Sequence, residues 1–172
     1  MVNKWDLSQK KTDMELDMFK NRYLAYLQRE FAFCPWAMTV FATASEGKGV
    51  KEILDHAIGI YAERHKRIST GEFNRFLTRT CLEHAPRGSR KIHNPRVYYG
   101  SQVAVDPPKF VINVNKSESI HFSWKRFLMN QIREVFGFYG TPIEIEYHGK
   151  NPDENPYKPV KVMSKAVKIP KK

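Results

Sequence analysis

The 172-residue sequence predicts an α/β unit followed by a small α+β unit. Three observations lead there. Over residues 1–62, apolar runs and helical stripes read as strand, helix, strand, helix. After that the order becomes helix, strand, strand, helix, strand. A basic junction, Arg64-His65-Lys66-Arg67, separates the two halves. Apolar residues make up 41% and aromatics 13%, enough for a packed core.

Each element has its own signal. Val2-Asn3-Lys4-Trp5-Asp6 reads as the stub of a strand entering a loop. Thr12-Asp13-Met14-Glu15 fits a capping box, with Thr12 as N-cap. Leu16, Phe19, Tyr23, Leu24 and Leu27 then recur at helical spacing. Met38 to Ala42 is a short apolar run suited to a buried strand, and Gly47-Lys48-Gly49 is a turn. Val50, Ile53, Leu54, Ala57, Ile58 and Tyr61 form an amphipathic stripe, expected to be buried. This alternation belongs to a mostly parallel sheet.

In the second half, Ser69-Thr70-Gly71-Glu72 is another capping box. Phe73, Phe76, Leu77 and Cys81 make the apolar face behind it. Residues 85–95, with Pro86, Gly88, Asn94 and Pro95, read as a loop. Val97 to Val105 favours strand, Asp106-Pro107-Pro108 turns, and Phe110, Ile112 and Val114 alternate as a half-buried strand. Ser123 is placed to cap a helix that buries Phe127, Leu128, Ile132, Val135 and Phe136. Gly137 is placed to end it in the left-handed conformation. Ile143, Ile145 and Tyr147 alternate with Glu144 and Glu146 as a last strand. The tail from Gly149, with four prolines and seven lysines, is expected to be disordered.

The formal charge of +11 is localised. Residues 1–62 carry 8 basic and 8 acidic side chains, and residues 97–149 carry 5 of each. Residues 63–96 carry 9 against 3, and residues 150–172 carry 7 against 2. Two separate basic segments point to a polyanion, nucleic acid before all others, because cations that neutralise phosphates release counterions. No stretch is long and apolar enough to span a bilayer, and no secretory leader opens the chain, so a cytoplasmic protein is expected. Cys34 and Cys81 do not make a disulfide framework and are expected as buried thiols. The six histidines show no zinc-ligand spacing with them.

Asn3-Lys4-Trp5-Asp6 has the form Asn-Lys-x-Asp, a guanine-reading pattern. Guanine presents two adjacent donors, N1–H and the 2-amino group, and a carboxylate is a matching acceptor pair. Asp6 is the reader. Asn3 is suited to donate to the base N7, and the Lys4 stem to cover the ring. Adenine in the same place would leave Asp6 buried and unpaired. About 37 residues on, a short strand ends in Ala42-Thr43-Ala44-Ser45, where Thr43-Ala44 is placed to offer a backbone amide to guanine O6. A phosphate loop is missing. Gly47-Lys48 is followed by Gly49 rather than Ser or Thr, and the residue five before Gly47 is Ala42. There is also no upstream strand bearing a magnesium-binding Asp. The chain is therefore expected to be catalytically inactive alone, with no cofactor of its own.

The chain resembles the C-terminal part of the Der (EngA) family, bacterial GTPases with two tandem G domains and a KH-like C-terminal domain. The matching runs include Val2 to Leu7, Lys66 to Thr70, Tyr98 to Val103, His121 to Leu128 and Arg133 to Ile143. The resemblance implies the second half of a P-loop GTPase domain over residues 1–66, a KH-like domain over 67–148 and a basic tail over 149–172. It further implies a GTP-hydrolysing parent that uses GTP/GDP and Mg2+. The implied partners are the large ribosomal subunit with its rRNA, and the parent's other G domain, with no membrane role. Thr43 stands where Ser is usual.

Gly137-Phe138-Tyr139-Gly140 has the form of the GxxG clamp of KH domains. It falls between a helix and a strand rather than between two helices, so a helix stop and a turn is the preferred reading. Asn115 to Phe122, where a KH loop belongs, has no glycine. Any RNA contact is therefore expected through phosphates. The expected donors are Arg64, Lys66, Arg67, Arg87, Arg90, Lys91 and Arg96, joined by Lys125 and Arg126 at a helix start. Trp124 is assigned to the core. The rival reading is a self-contained RNA-binding module with no nucleotide role.

Overall fold

The computed structural model describes residues 1–9, 14–86 and 95–149. Among the described residues the first part holds three α-helices, α1 (Trp5–Gln9), α2 (Leu16–Glu30) and α3 (Val50–Arg64), with a 3-10 turn at Ala44–Glu46. Val2 pairs in parallel with Phe41, closed by Val2 N–H to Val40 O and Ala42 N–H to Val2 O, both 2.8 Å. Among the described residues the two expected strands are thus reduced to a single bridge between Val2 and Phe41.

Two expectations for this part are corrected. Helix α2 begins at Leu16 with Glu15 as N-cap and no side-chain cap, and Thr12 lies outside the described residues. Glu15 has an extended ψ of 135°, so it precedes the helix instead of occupying its first turn. The apolar stripe of α3 is also not buried. Leu54, Ile58 and Tyr61 are 60, 69 and 65% exposed, and no residue of α2 or α3 is fully buried. One bridge is not a sheet wide enough to cover two helices. Helix α3 turns Ile53, Ile60, Glu63 and Arg64 inward instead.

The second part follows the predicted order: α4 (Thr70–Glu83), β1 (Val97–Val105), β2 (Pro108–Val114), α5 (Phe122–Phe136) and β3 (Glu144–Gly149). Strand β2 is central, antiparallel to β1 and parallel to β3, with Phe110 opposite Ile145 and Ile112 opposite Tyr147. Its alternation is complete: Pro108, Phe110, Ile112 and Val114 are buried and the residues between them are half-exposed. The main core cluster runs from Ile68 to Ile143 and joins α4 and α5 to this sheet, while Val40 and Ala42 are buried separately in the first part. The Ser69 capping box forms as predicted, with Glu72 N–H donating to Ser69 Oγ at 3.3 Å.

Helix α5 differs from its reading in three details. His121, not Ser123, is the N-cap, its Nδ1 accepting from Ser123 N–H. Val135 is 44% exposed instead of buried, whereas Trp124 lies in the core as expected, donating its indole N–H to His84 O at 3.0 Å. Gly137 has φ 90° and ψ −113°, positive in φ but outside the left-handed helical well. Cys34 and Cys81 are free and half-buried rather than fully buried. Residues 87–94 and 150–172, including most of the predicted loop and the tail, lie outside the described residues.

The two parts meet at the Gly137–Gly140 turn. Glu63 accepts from Phe138 N–H, Lys66 donates to Phe136 O, and Arg64 pairs with Asp106. Arg133 holds the turn from the other side, donating to Phe138 O at 2.7 Å and Thr141 O at 2.9 Å. Its guanidinium also lies 5.4 Å from the ring of Trp36, in the first part. Burial pushes Arg133 below the ordinary guanidinium range, and these acceptors with the ring compensate a charge that lacks a carboxylate partner among the described residues.

Candidate guanine-reading site and basic surface

The opening segment lies along the 40–44 run. Trp5 N–H donates to Ala42 O at 3.1 Å, which starts α1 directly after the bridge. Lys4 takes φ 58°, a left-handed backbone that is uncommon for a residue with a Cβ and clusters at functional turns. Asp6 then falls in the first turn of α1. Trp5, the variable residue of the motif, is an anchor. Its ring stacks on Phe19 at 5.4 Å and meets Phe41 at 4.4 Å, fixing α1 against α2 and the bridge.

The opposite wall is a compact turn. Thr43 N–H donates to Lys48 O at 3.0 Å, and Gly47 and Gly49 have φ of 70° and 74°. Gly49 has a second reason to lack a side chain: a Cβ there sits 2.5 Å from Phe41 O. Between the walls lies a cavity of about 210 Å³ lined by Trp5, Asp6, Phe41, Ala42, Thr43, Glu46 and Lys48. Asp6 and Thr43 are thus brought to one pocket. Asn3 and Ala44 are not among its lining residues, although Ala44 directly follows Thr43; Ala44 N–H donates to Asn3 Oδ1 at 3.3 Å. The amide assigned to guanine O6 is therefore engaged by Asn3 in this structure, through a long and exposed bond. Helix α3 starts at the end of this turn, so a single 15-residue rod runs from the pocket to the Gly137–Gly140 turn.

The structure separates the predicted phosphate-binding residues into two groups. Arg64 and Lys66 are engaged between the two parts, Arg64 with Asp106 and Thr141 and Lys66 with Phe136 O and Glu63. Lys125 is half-buried, its ammonium 5.0 Å from the Tyr147 ring. Arg67, Arg96 and Arg126 are exposed, with no acidic partner among the described residues. Arg87, Arg90 and Lys91 lie outside the described residues.

Comparison with known proteins bears on both parts. Residues 67–148 match the KH-domain-like family of EngA bacterial GTPase enzymes, C-terminal. GTPase Der of Thermomicrobium roseum is 40% identical over 146 residues, covering 85% of this chain and 31% of the relative. GTPase Der of Clostridium perfringens is 40% identical over 150 residues, and that of Chloroflexus aggregans 38% over 154, each covering 33% of the relative. Residues 67–148 thus belong to that KH-domain-like family, and the chain as a whole is similar to the C-terminal part of GTPase Der. It spans about a third of the length of the curated relatives it matches.

GTP with Mg2+ is the group that such relatives imply, and the pocket between Asp6 and Thr43 fits only one end of it. A carboxylate, the rings of Trp5 and Phe41 in the wall and a cavity of about 210 Å³ suit a purine base. Among the described residues, no three His, Cys, Asp or Glu side chains converge on a metal position. No helix among them is long and apolar enough to cross a membrane.

Sequence reasoning missed several residues that the structure brings forward. Glu46 and Lys48 line the pocket beside Asp6 but sit in what reads as an ordinary turn. Ile60 and Glu63 meet Gly140 and Gly137 across the two parts. The signal for that contact was the Gly-x-x-Gly spacing itself, correctly read as a turn but without its neighbour.

Proposed function

We propose that this chain is the base-reading and docking end of a Der-type GTP-binding protein. Residues 1–66 act as the closing portion of a G domain, 67–148 as a KH-like docking domain and 149–172 as a basic tail. The observation that carries the reading is the pocket that joins Asp6 to Thr43, with Asn3 bonded to Ala44, the residue after Thr43. Asp6 accepts from guanine N1–H and the 2-amino group, and Asn3 offers its amide to N7. GTP supplies the phosphoryl group and Mg2+ its charge compensation, at residues outside this chain. The chain alone then neither turns GTP over nor binds it tightly.

The exposed apolar residues of α3 support an incomplete α/β layer. Leu54, Ile58 and Tyr61 have the helical spacing of a face that packs on a sheet, and they stand beside a sheet of one bridge. The relatives, about three times as long, have the length to supply the missing strands. The parent's role is assembly of the large ribosomal subunit in the cytoplasm, with rRNA and the other G domain as partners of the KH-like part. Of the expected phosphate donors, Arg67, Arg96 and Arg126 are the described ones that are exposed and free to meet phosphate.

The test uses a Der-type protein in which this chain forms the C-terminal third. Asp6→Asn is expected to weaken GTP and favour xanthosine triphosphate, because the amide donates where xanthine has a 2-oxo acceptor. Competition binding with the two nucleotides reads it. Unchanged guanine preference refutes Asp6 as base reader and favours an RNA module without nucleotide.

A further inference from the structure

Asp6 has no hydrogen bond or ion pair among the described residues, although a lysine lines the same pocket. That lysine, Lys48, is claimed elsewhere: its ammonium lies 2.7 Å from Glu46 Oε2. The arrangement is built rather than incidental. The Lys48 backbone is pinned by Thr43 N–H and flanked by two glycines of positive φ, so the residue cannot withdraw from the pocket wall. Its side chain alone is free to choose a carboxylate, and Asp6 and Glu46 are the two that line the cavity. Glu46 raises Lys48 above the ordinary ammonium range, chiefly through their hydrogen bond, and Asp6 adds only a small pull.

We infer that Glu46 is a positioning residue for base recognition: by binding the Lys48 ammonium it keeps the Asp6 carboxylate open for guanine's N1–H and 2-amino donors. The inference rests on the guanine reading of Asp6 above. Its logic is competition. A carboxylate already accepting from an ammonium has that bond to lose before guanine can use its oxygens, and the net gain of base binding shrinks accordingly. Glu46, two residues from Lys48 across the turn, closes its contact with little loss of chain freedom. Without it, Asp6 is the remaining carboxylate on the pocket wall. Neither side chain holds the fold: they are 47% and 77% exposed, and the turn is tied by backbone bonds.

The experiment titrates the 172-residue chain with guanosine and, separately, inosine, which lacks the 2-amino group, while following the Trp5 indole N–H by NMR. Trp5 lines the pocket, so it reports occupancy directly. Wild type is expected to prefer guanosine. Glu46→Gln is expected to weaken guanosine about two- to five-fold, the range of an exposed ion pair, and to narrow the preference over inosine. Glu46→Gln combined with Lys48→Met removes the competitor and is expected to restore both affinity and preference. A purely structural role for Glu46 gives no such rescue. Wild-type guanosine affinity in Glu46→Gln, or a double variant as weak as the single, overturns the inference. A wild type that does not distinguish guanosine from inosine overturns the guanine reading itself, and the inference with it.

Discussion

Gly140→Ala tests whether the two parts are joined by shape at the Gly137–Gly140 turn. Gly140 has φ 69°, and a Cβ added there lies 2.4 Å from Ile60 Cγ1 and 2.6 Å from Cδ1. Two costs follow. An L side chain in the left-handed region costs about 1–2 kcal/mol. Forcing an extra carbon against a packed side chain costs about 1–3 kcal/mol more. Gly140→Ala is therefore expected to destabilise the chain by about 2–5 kcal/mol. The second cost belongs to a pair, so Ile60→Ala should relieve it. The double variant should then be more stable than the sum of the two single losses by about 1–3 kcal/mol, while the backbone cost stays. Gly137→Ala is a comparison, because its Cβ meets Glu63 Oε2 at 2.7 Å, the movable end of a side chain. Urea denaturation followed by tryptophan fluorescence measures all four, with Trp36 on one side of the contact and Trp124 on the other. Strict additivity of Gly140→Ala and Ile60→Ala would refute the steric argument. So would a loss from Gly140→Ala no larger than the backbone cost.

If the KH-like part binds RNA through phosphates, affinity should fall with salt on a log–log slope of about −0.7 to −0.9 per phosphate neutralised. Arg67→Ala, Arg96→Ala and Arg126→Ala together should flatten that slope, whereas Arg64→Ala should act mainly on stability because Arg64 is held by Asp106. Fluorescence titration at several salt concentrations decides between them, and a salt-independent affinity rejects phosphate contact. Gln102 is 3% exposed; it accepts from Ile68 N–H at 2.7 Å and donates to Lys66 O at 2.9 Å. Gln102→Ala leaves these buried groups unpaired and should cost about 2–4 kcal/mol in urea denaturation; a loss below about 1 kcal/mol means that the surroundings re-pair them.

The second part was legible from local signals because its interactions are largely local or strictly periodic. The Ser69 cap bonds three residues ahead, and the alternation of Phe110, Ile112 and Val114 sets their side before any partner is known. The Asn-Lys-x-Asp pattern could be seen for the same reason: Asn3, Lys4 and Asp6 are near neighbours along the chain. Tertiary structure decided whatever depends on what stands opposite. The α3 stripe was a true helix signal, but burial needs a facing surface, and a single bridge is not one. Arg64 and Lys66 read as surface charge until Asp106 and Phe136 O stand beside them. Glu46 and Lys48 read as a polar turn until the backbone bonds at Thr43 close it over Asp6. Periodicity and capping are properties of neighbours along the chain. A pocket wall or a docking turn is a property of residues that only folding makes neighbours.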